Sequence, residues 1–144
     1  MIGCLVGSEM CIRDSGYLAK NKDVREIMKK FQKRIIKKNK RICVEGRDIA
    51  STILKKNPRY DLAFYFTCNV NLASIRRWKD LKKKVPLKEV KKSLSIRTRL
   101  DKKRKHSPLK KMRDAILIRT DKLNKKKVLL KMSQEIEKIN YKTL

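Results

Sequence analysis

Residues 41–54, Arg41-Ile42-Cys43-Val44-Glu45-Gly46-Arg47-Asp48-Ile49-Ala50-Ser51-Thr52-Ile53-Leu54, decide how this chain is read. A short β-prone run, Arg41 to Glu45, closes on Gly46, and the charged pair Arg47-Asp48 follows at once. A run of that length bounded by glycine predicts a buried strand. In α/β sheets, ligands sit at the carboxyl ends of strands, where the next loop presents side chains into a crevice. There, Gly46 lets the backbone turn, Arg47 offers a fork of donors to a phosphate, and Asp48 accepts from a base amino group. An ordinary strand-ending turn with a surface ion pair has the same spacing.

On the amino-terminal side, Val24, Ile27, Met28, Phe31 and Ile35 recur at helical spacing with lysines opposite. Asp23 followed by Glu26 suits a capping box at the start of that helix. Downstream, Leu62 to Thr67 reads as a second strand after the turn at Asn57-Pro58, and Ala115 to Ile118 as a third. Near-continuous apolar runs separated by helical stretches predict a parallel sheet in an α/β fold. Between the second and third strands, Leu72, Ile75, Trp78 and Leu81 form one helical stripe that ends before Pro86. Leu87, Val90 and Leu94 form another, with Pro86 placed at its start. Val128, Met132, Ile136 and Ile139 mark a closing helix from about Asn124.

The second helical region also carries chemistry. Arg97 and Asp101 are four apart and share a helix face, and Arg104 lies three residues further on. Guanidinium groups there suit the anion of a nucleoside phosphate, and the carboxylate suits sugar hydroxyls. A solvated, salt-bridged helix is the plainer reading of the same residues. Arg76-Arg77 add two more cations on the preceding helix.

Composition bounds the rest. The chain has 144 residues, 42 Lys and Arg against 14 Asp and Glu, and a formal charge of +28. That length holds one domain, and 40% hydrophobic residues exclude a disordered polyelectrolyte. No apolar run reaches the ~18 residues of a membrane span. The 4 cysteines show no C-x-x-C spacing, and His106, the 1 histidine, precedes a Ser-Pro turn, so a metal site is not expected. Cys43 and Cys68 read as small core residues, and Trp78 as helix packing. The basic balance invites a nucleic-acid partner. Yet 29 of the basic residues are Lys and 13 are Arg, the bias an AT-rich coding sequence produces. Aromatics are only 6% and no RNA-binding fingerprint is present, so nucleic acid is not the expected partner.

Residues 1–15, MIGCLVGSEMCIRDS, differ in charge from the strongly basic remainder of the chain: Arg13 is their one base against Glu9 and Asp14. Residues 4–15 resemble one translated frame of a transposase-type sequencing-library adapter. On that reading 1–15 is an artefactual segment, and native sequence begins at about Gly16.

The remaining chain, in order, carries VEGRDIAS (44–51), a strand, the Arg76-Arg77 helix, R-x3-D-x2-R-x2-SPL (97–109), RDAILIRT (113–120) and a final helix. With Asp23-Val24-Arg25-Glu26, this order resembles the bacterial cytidylate kinase family over nearly all of residues 16–144, matching its later, C-terminal part. The resemblance implies an α/β, P-loop nucleoside-monophosphate-kinase-like parallel sheet with a helical lid at about 69–106. It implies phosphoryl transfer from ATP to CMP or dCMP, with Mg²⁺, in a cytoplasmic enzyme that is a monomer when intact. Carried over by position, Arg25, Asp48 and Arg104 recognise the nucleotide, chiefly cytosine. Arg47 binds the acceptor phosphate, Arg97 and Asp101 reach the phosphate and sugar, and Arg76 and Arg77 close over ATP and stabilise the transferring group.

Departures accompany the resemblance. Ala73 stands where a further lid arginine is common, Ala50 replaces a glycine, Leu100 sits at a usually charged position, and Arg119 replaces an acid. A serine expected at the base falls at about Gly16. No G-x-x-x-x-G-K-[ST] occurs in the chain, so the loop whose N–H groups cradle ATP phosphates is missing, and the first strands with it. The strand lost with that loop is central in such a sheet. Two of the surviving strands are therefore expected to be separated by a gap or to pair in a non-native way, and the chain as written to be unstable and inactive. The alternatives are a non-enzymatic basic RNA- or ribosome-binding module and another nucleoside-monophosphate kinase.

Overall fold

A computed structural model of the protein describes residues 21–39 and 41–140. The 1–15 segment and the position of Gly16 lie outside the described residues. Helix α1 spans Lys22–Lys38. Its cap is Asn21, whose side-chain oxygen accepts from the amides of Asp23 (2.8 Å) and Val24 (3.2 Å). The expected Asp23/Glu26 capping box is therefore not formed. A short polar side chain already satisfies the first free amides, Asp23 falls inside the first turn, and Glu26 pairs with Lys29 instead.

The apolar stripe of α1 is present but open: Ile27 is 66% and Phe31 55% exposed. Ile36 alone on this helix is buried, joining Ile49, Ile53 and Leu54 in a small core, with Val44 and Tyr60 packed against it. Those core residues come from a π-helical turn, Ile49–Ile53, closed by the Leu54 amide on the Ile49 carbonyl at 2.8 Å.

Arg41 to Glu45 does not form the expected buried strand. Cys43 is exposed, so it is not a core cysteine either. A strand gains nothing without a neighbour to pair its amides and carbonyls. Among the described residues, the ladder joins β1, Phe64–Thr67, to β2, Ile116–Arg119, and residues 41–45 belong to neither. Gly46 has a different task from the one expected. No described glycine has positive φ, and a Cβ at Gly46 would sit 2.7 Å from Ile49 Cγ1. The glycine makes room for the Ile49 side chain and does not serve a left-handed bend.

The two strands are parallel, with Phe64 opposite Ile116 and Thr67 opposite Arg119. Their order and direction match the expected α/β arrangement. Between them run α2, Val70–Asp80, and α3, Leu87–Lys103, which pack on each other. Ser74 on α2 and Val90 on α3 are the most completely enclosed side chains among the described residues. The connecting turn takes left-handed backbone at Lys82 (φ 51°) and Lys83 (φ 60°), which places the Lys83 ammonium 5.1 Å over the Trp78 ring. Trp78 is half-buried, and Pro86 caps the start of α3. Helix α4, Lys125–Asn140, closes the described chain, with the Asn124 side chain accepting from the Lys127 amide at 2.9 Å. No described helix is long and apolar enough to cross a membrane.

Candidate nucleotide site

Three separate elements bring charged side chains to one place. Arg25 closes the first turn of α1, Arg47 and Asp48 precede the π turn, and Arg97 and Asp101 lie on α3 with Arg104 at its C-cap. Asp48 sits between two guanidiniums: Arg25 Nη2 contacts its Oδ2, and Arg104 Nη2 lies 3.5 Å from its Oδ1. Arg104 Nη1 reaches Asp101 Oδ1 at 3.3 Å, and Arg47 Nε stands 3.6 Å from Asp101 Oδ2. The result is an alternating chain, Arg25–Asp48–Arg104–Asp101–Arg47, that crosses all three elements.

Arg104 is aimed by the residues just beyond the helix. Its Nε donates to the Ser107 carbonyl at 2.5 Å, and the Leu109 amide donates to the Asp101 carbonyl at 2.8 Å. Ser107 adopts φ 54°, a left-handed conformation uncommon for a side-chain-bearing residue, and this turns its carbonyl back toward the helix end. With Nε held there, the other two nitrogens of Arg104 face the carboxylates.

The balance of charge at the site is positive. Arg97 is half-buried, and its proton affinity is pushed down first by burial and then by the neighbouring Arg47. Asp101 opposes that shift and Arg77 adds to it, so Arg77 also faces this group. Asp101 Oδ2 and Arg104 Nη2 are buried yet lack a hydrogen bond, because their ion-pair distances of 3.6 and 3.5 Å are too long. Buried polar atoms left in that state favour an added polar ligand. The arrangement can take up an anion while presenting a fixed carboxylate, Asp48, to a hydrogen-bond donor.

The structure thus brings together Arg25, Arg47, Asp48, Arg97, Asp101 and Arg104, with Arg77 alongside. Arg76 goes elsewhere. Its Nη2 donates to the carbonyls of Thr120 (2.8 Å) and Leu123 (3.3 Å), and its Nη1 to Thr120 Oγ1 (3.2 Å). Cys68 Sγ lies 3.6 Å from the same Nη1. These partners lie at the carboxyl ends of β1 and β2, where Asp121 also accepts from the Asn69 amide at 2.7 Å. Sequence reasoning missed Ser107, Thr120 and Asp121. The signals for them were the Ser-Pro turn and the polar residues just past each strand.

A second cluster is structural. Tyr60 Oη donates to Asp114 Oδ1 at 2.6 Å, and Arg59 Nη2 donates to Asp114 Oδ2 at 3.4 Å. Burial, then the Asp114 carboxylate, pushes the Tyr60 phenol up to about 12, while the Tyr60 hydrogen bond holds Asp114 below its ordinary value. It clasps the loop after Pro58 to the segment entering β2. Among the described residues, no group of 3 or more His, Cys, Asp or Glu is placed to hold a metal ion.

Comparison with known proteins identifies the family. The family model for cytidylate kinase matches residues 6–138, beginning inside the 1–15 segment. The chain is 32% identical over 118 residues to the cytidylate kinase of Rickettsia akari (strain Hartford), covering 80% of this chain and 52% of that protein. It is 34% identical over 119 residues to that of Clostridium botulinum (strain Okra / Type B1), covering 81% and 53%. For Thermosipho melanesiensis the identity is 33% over 134 residues, covering 88% and 60%. The chain spans about half the length of the curated relatives it matches.

Proposed function

The chain belongs to the cytidylate kinase family, and we propose that its arginine–aspartate chain is the acceptor site for CMP or dCMP. In the intact protein that nucleotide receives the γ-phosphoryl group of ATP, giving CDP or dCDP. The observation that carries this reading is Asp48, fixed between Arg25 and Arg104 and joined through Asp101 to Arg47.

Each residue then has a task that follows from its place. Asp48 is an acceptor whose orientation is set from both sides, so it selects a base that presents an amino group. Arg25 and Arg104 hold that carboxylate in place and fill the rest of the base pocket. Arg47 and Arg97 supply forked donors to the acceptor phosphate, and Asp101 takes the sugar hydroxyls and keeps Arg47 and Arg104 apart. A phosphate dianion offsets the positive excess around Arg97 and Arg77. Arg77 and Arg76 act on the donor side, stabilising charge on the transferring group. For Arg76 this requires leaving the Thr120 and Leu123 carbonyls, so its role belongs to a closed arrangement of α2 and α3. Closure of that kind excludes water, the competing acceptor.

Asp48 and Asp101 are engaged by arginines, so neither is a free carboxylate for Mg²⁺. The sequence also lacks the G-x-x-x-x-G-K-[ST] cradle. This chain is therefore expected to bind the acceptor nucleotide and to form no CDP from ATP and CMP.

Thermal unfolding in the presence of CMP, dCMP, UMP, AMP and inorganic phosphate tests the reading. Protection by CMP and dCMP beyond that given by UMP and phosphate is expected. Equal protection by CMP and UMP would remove the role given to Asp48.

A further inference from the structure

Helix α1 carries a second concentration of charge, centred roughly on the side of the helix opposite Arg25. Lys30, Lys33, Arg34, Lys37 and Lys38 line a shallow, open depression of about 500 Å³ that Asn57, from the loop before β1, borders. Among the described residues none of these cations makes an ion pair. The ion pairs of α1 are Lys29–Glu26 and Arg25–Asp48, both outside the depression. A general surplus of surface lysine leaves cations scattered. Here five cations share one depression in which no described carboxylate stands, a concentration of positive charge that suits an external polyanion.

The dimensions and lining select the anion. From Lys30 to Lys38 the helix rises about 12 Å at ~1.5 Å per residue, further than one nucleotide's phosphates extend. The described lining contains cations and an amide, with no apolar or aromatic side chain among the described residues to anchor a protein partner or stack a base. Such a surface contacts phosphates and reads no sequence. We propose that this depression holds the phosphate backbone of a nucleic acid strand, separately from the nucleotide site. This revises the expectation that nucleic acid is not a partner, and it stands whether or not the CMP reading holds.

The test is fluorescence anisotropy of a labelled oligouridylate against the full chain over a range of KCl. The variants are Lys30→Glu/Lys33→Glu/Lys37→Glu and, as a control of equal net charge on α4, Lys125→Glu/Lys126→Glu/Lys127→Glu. Loss of three phosphate contacts from a single strand makes the log–log salt slope shallower by about 2 and lowers affinity on the order of 100-fold at about 50 mM salt. The Lys→Gln form at the same α1 positions is expected to move in the same direction by a smaller factor, with circular dichroism unchanged. The α4 variant is expected to lose much less, and excess CMP to leave the oligonucleotide bound. Equal losses in the α1 and α4 variants would show diffuse charge at work, and displacement by CMP would place the strand in the nucleotide site. Either result, or no binding at all, overturns the proposal.

Discussion

Replacing Asp101 by Asn removes one negative charge from between Arg47 and Arg104 and leaves the side chain's shape intact. Asp101 is 6% exposed, and its carboxylate lies 3.3 Å from Arg104 and 3.6 Å from Arg47. The Arg104 side chain is only 10% exposed, so its charge cannot return to water, whereas Arg47, at 42%, can. Removing one partner of a fully buried ion pair costs about 3–5 kcal/mol. The amide keeps an acceptor for Arg104 and one of the two arginines is solvated, so about 2–3 kcal/mol of stability is expected to go. For a chain of this size that lowers the unfolding temperature by about 5–10 °C. The assay is urea unfolding followed by circular dichroism, with and without inorganic phosphate. With Asp101 neutral, Arg47, Arg97 and Arg104 lose the carboxylate that separated them, so phosphate is expected to stabilise the variant more than the parent. A variant within about 0.5 kcal/mol of the parent, or one that phosphate stabilises no more, would refute the view that Asp101 neutralises this group.

Other perturbations reach different parts of the structure. Gly46→Ala places a methyl 2.7 Å from Ile49 Cγ1, so about 1–3 kcal/mol of stability is expected to be lost in denaturant unfolding, with CMP affinity falling as Asp48 shifts. Val90→Ala empties a site that is 0% exposed, and about 2 kcal/mol is expected to go without any change in nucleotide selectivity. Tyr60 has a raised pKa of about 12, so its contribution is complete below the unfolded value near 10 and is lost as pH rises toward 12. Asp114 is lowered, so its contribution is present above the ordinary carboxyl range and lost as pH falls through its depressed value. Tyr60→Phe is expected to flatten the alkaline limb of a stability–pH profile.

Local pattern made much of the fold legible. The parallel strands at 64–67 and 116–119 follow from apolar runs with turn residues on either side, and α2, α3 and α4 follow from their apolar periodicity. The run at 41–45 shows the limit of that reasoning. Its composition suits a strand, but a strand exists only with a partner, and composition does not say whether one is at hand. The stripe on α1 makes the same point, since Phe31 and Ile27 have core-like spacing and remain uncovered. The charges that the structure brings together stood out in the sequence because they recur at helix spacing on α3 and cluster after Gly46, although that spacing fits a solvated, salt-bridged helix as well. Spacing did not reveal that Arg76 and Arg77, adjacent in sequence, part company. Adjacent residues on a helix point about 100° apart, so one faces the arginine cluster and the other the strand ends. Nor did it reveal the Ser107 carbonyl, a main-chain acceptor whose position depends on one backbone dihedral.

The most direct measurement is calorimetric titration of CMP and UMP into the chain and into its Asp48→Asn variant. Held between Arg25 and Arg104, the Asp48 carboxylate is expected to favour CMP over UMP in the parent. In the variant, CMP affinity is expected to fall at least about tenfold, or ~1.4 kcal/mol, with UMP changing far less. A variant that binds CMP as well as the parent does, or a parent that binds CMP and UMP alike, would contradict the assignment of this cluster as a cytidine-nucleotide site.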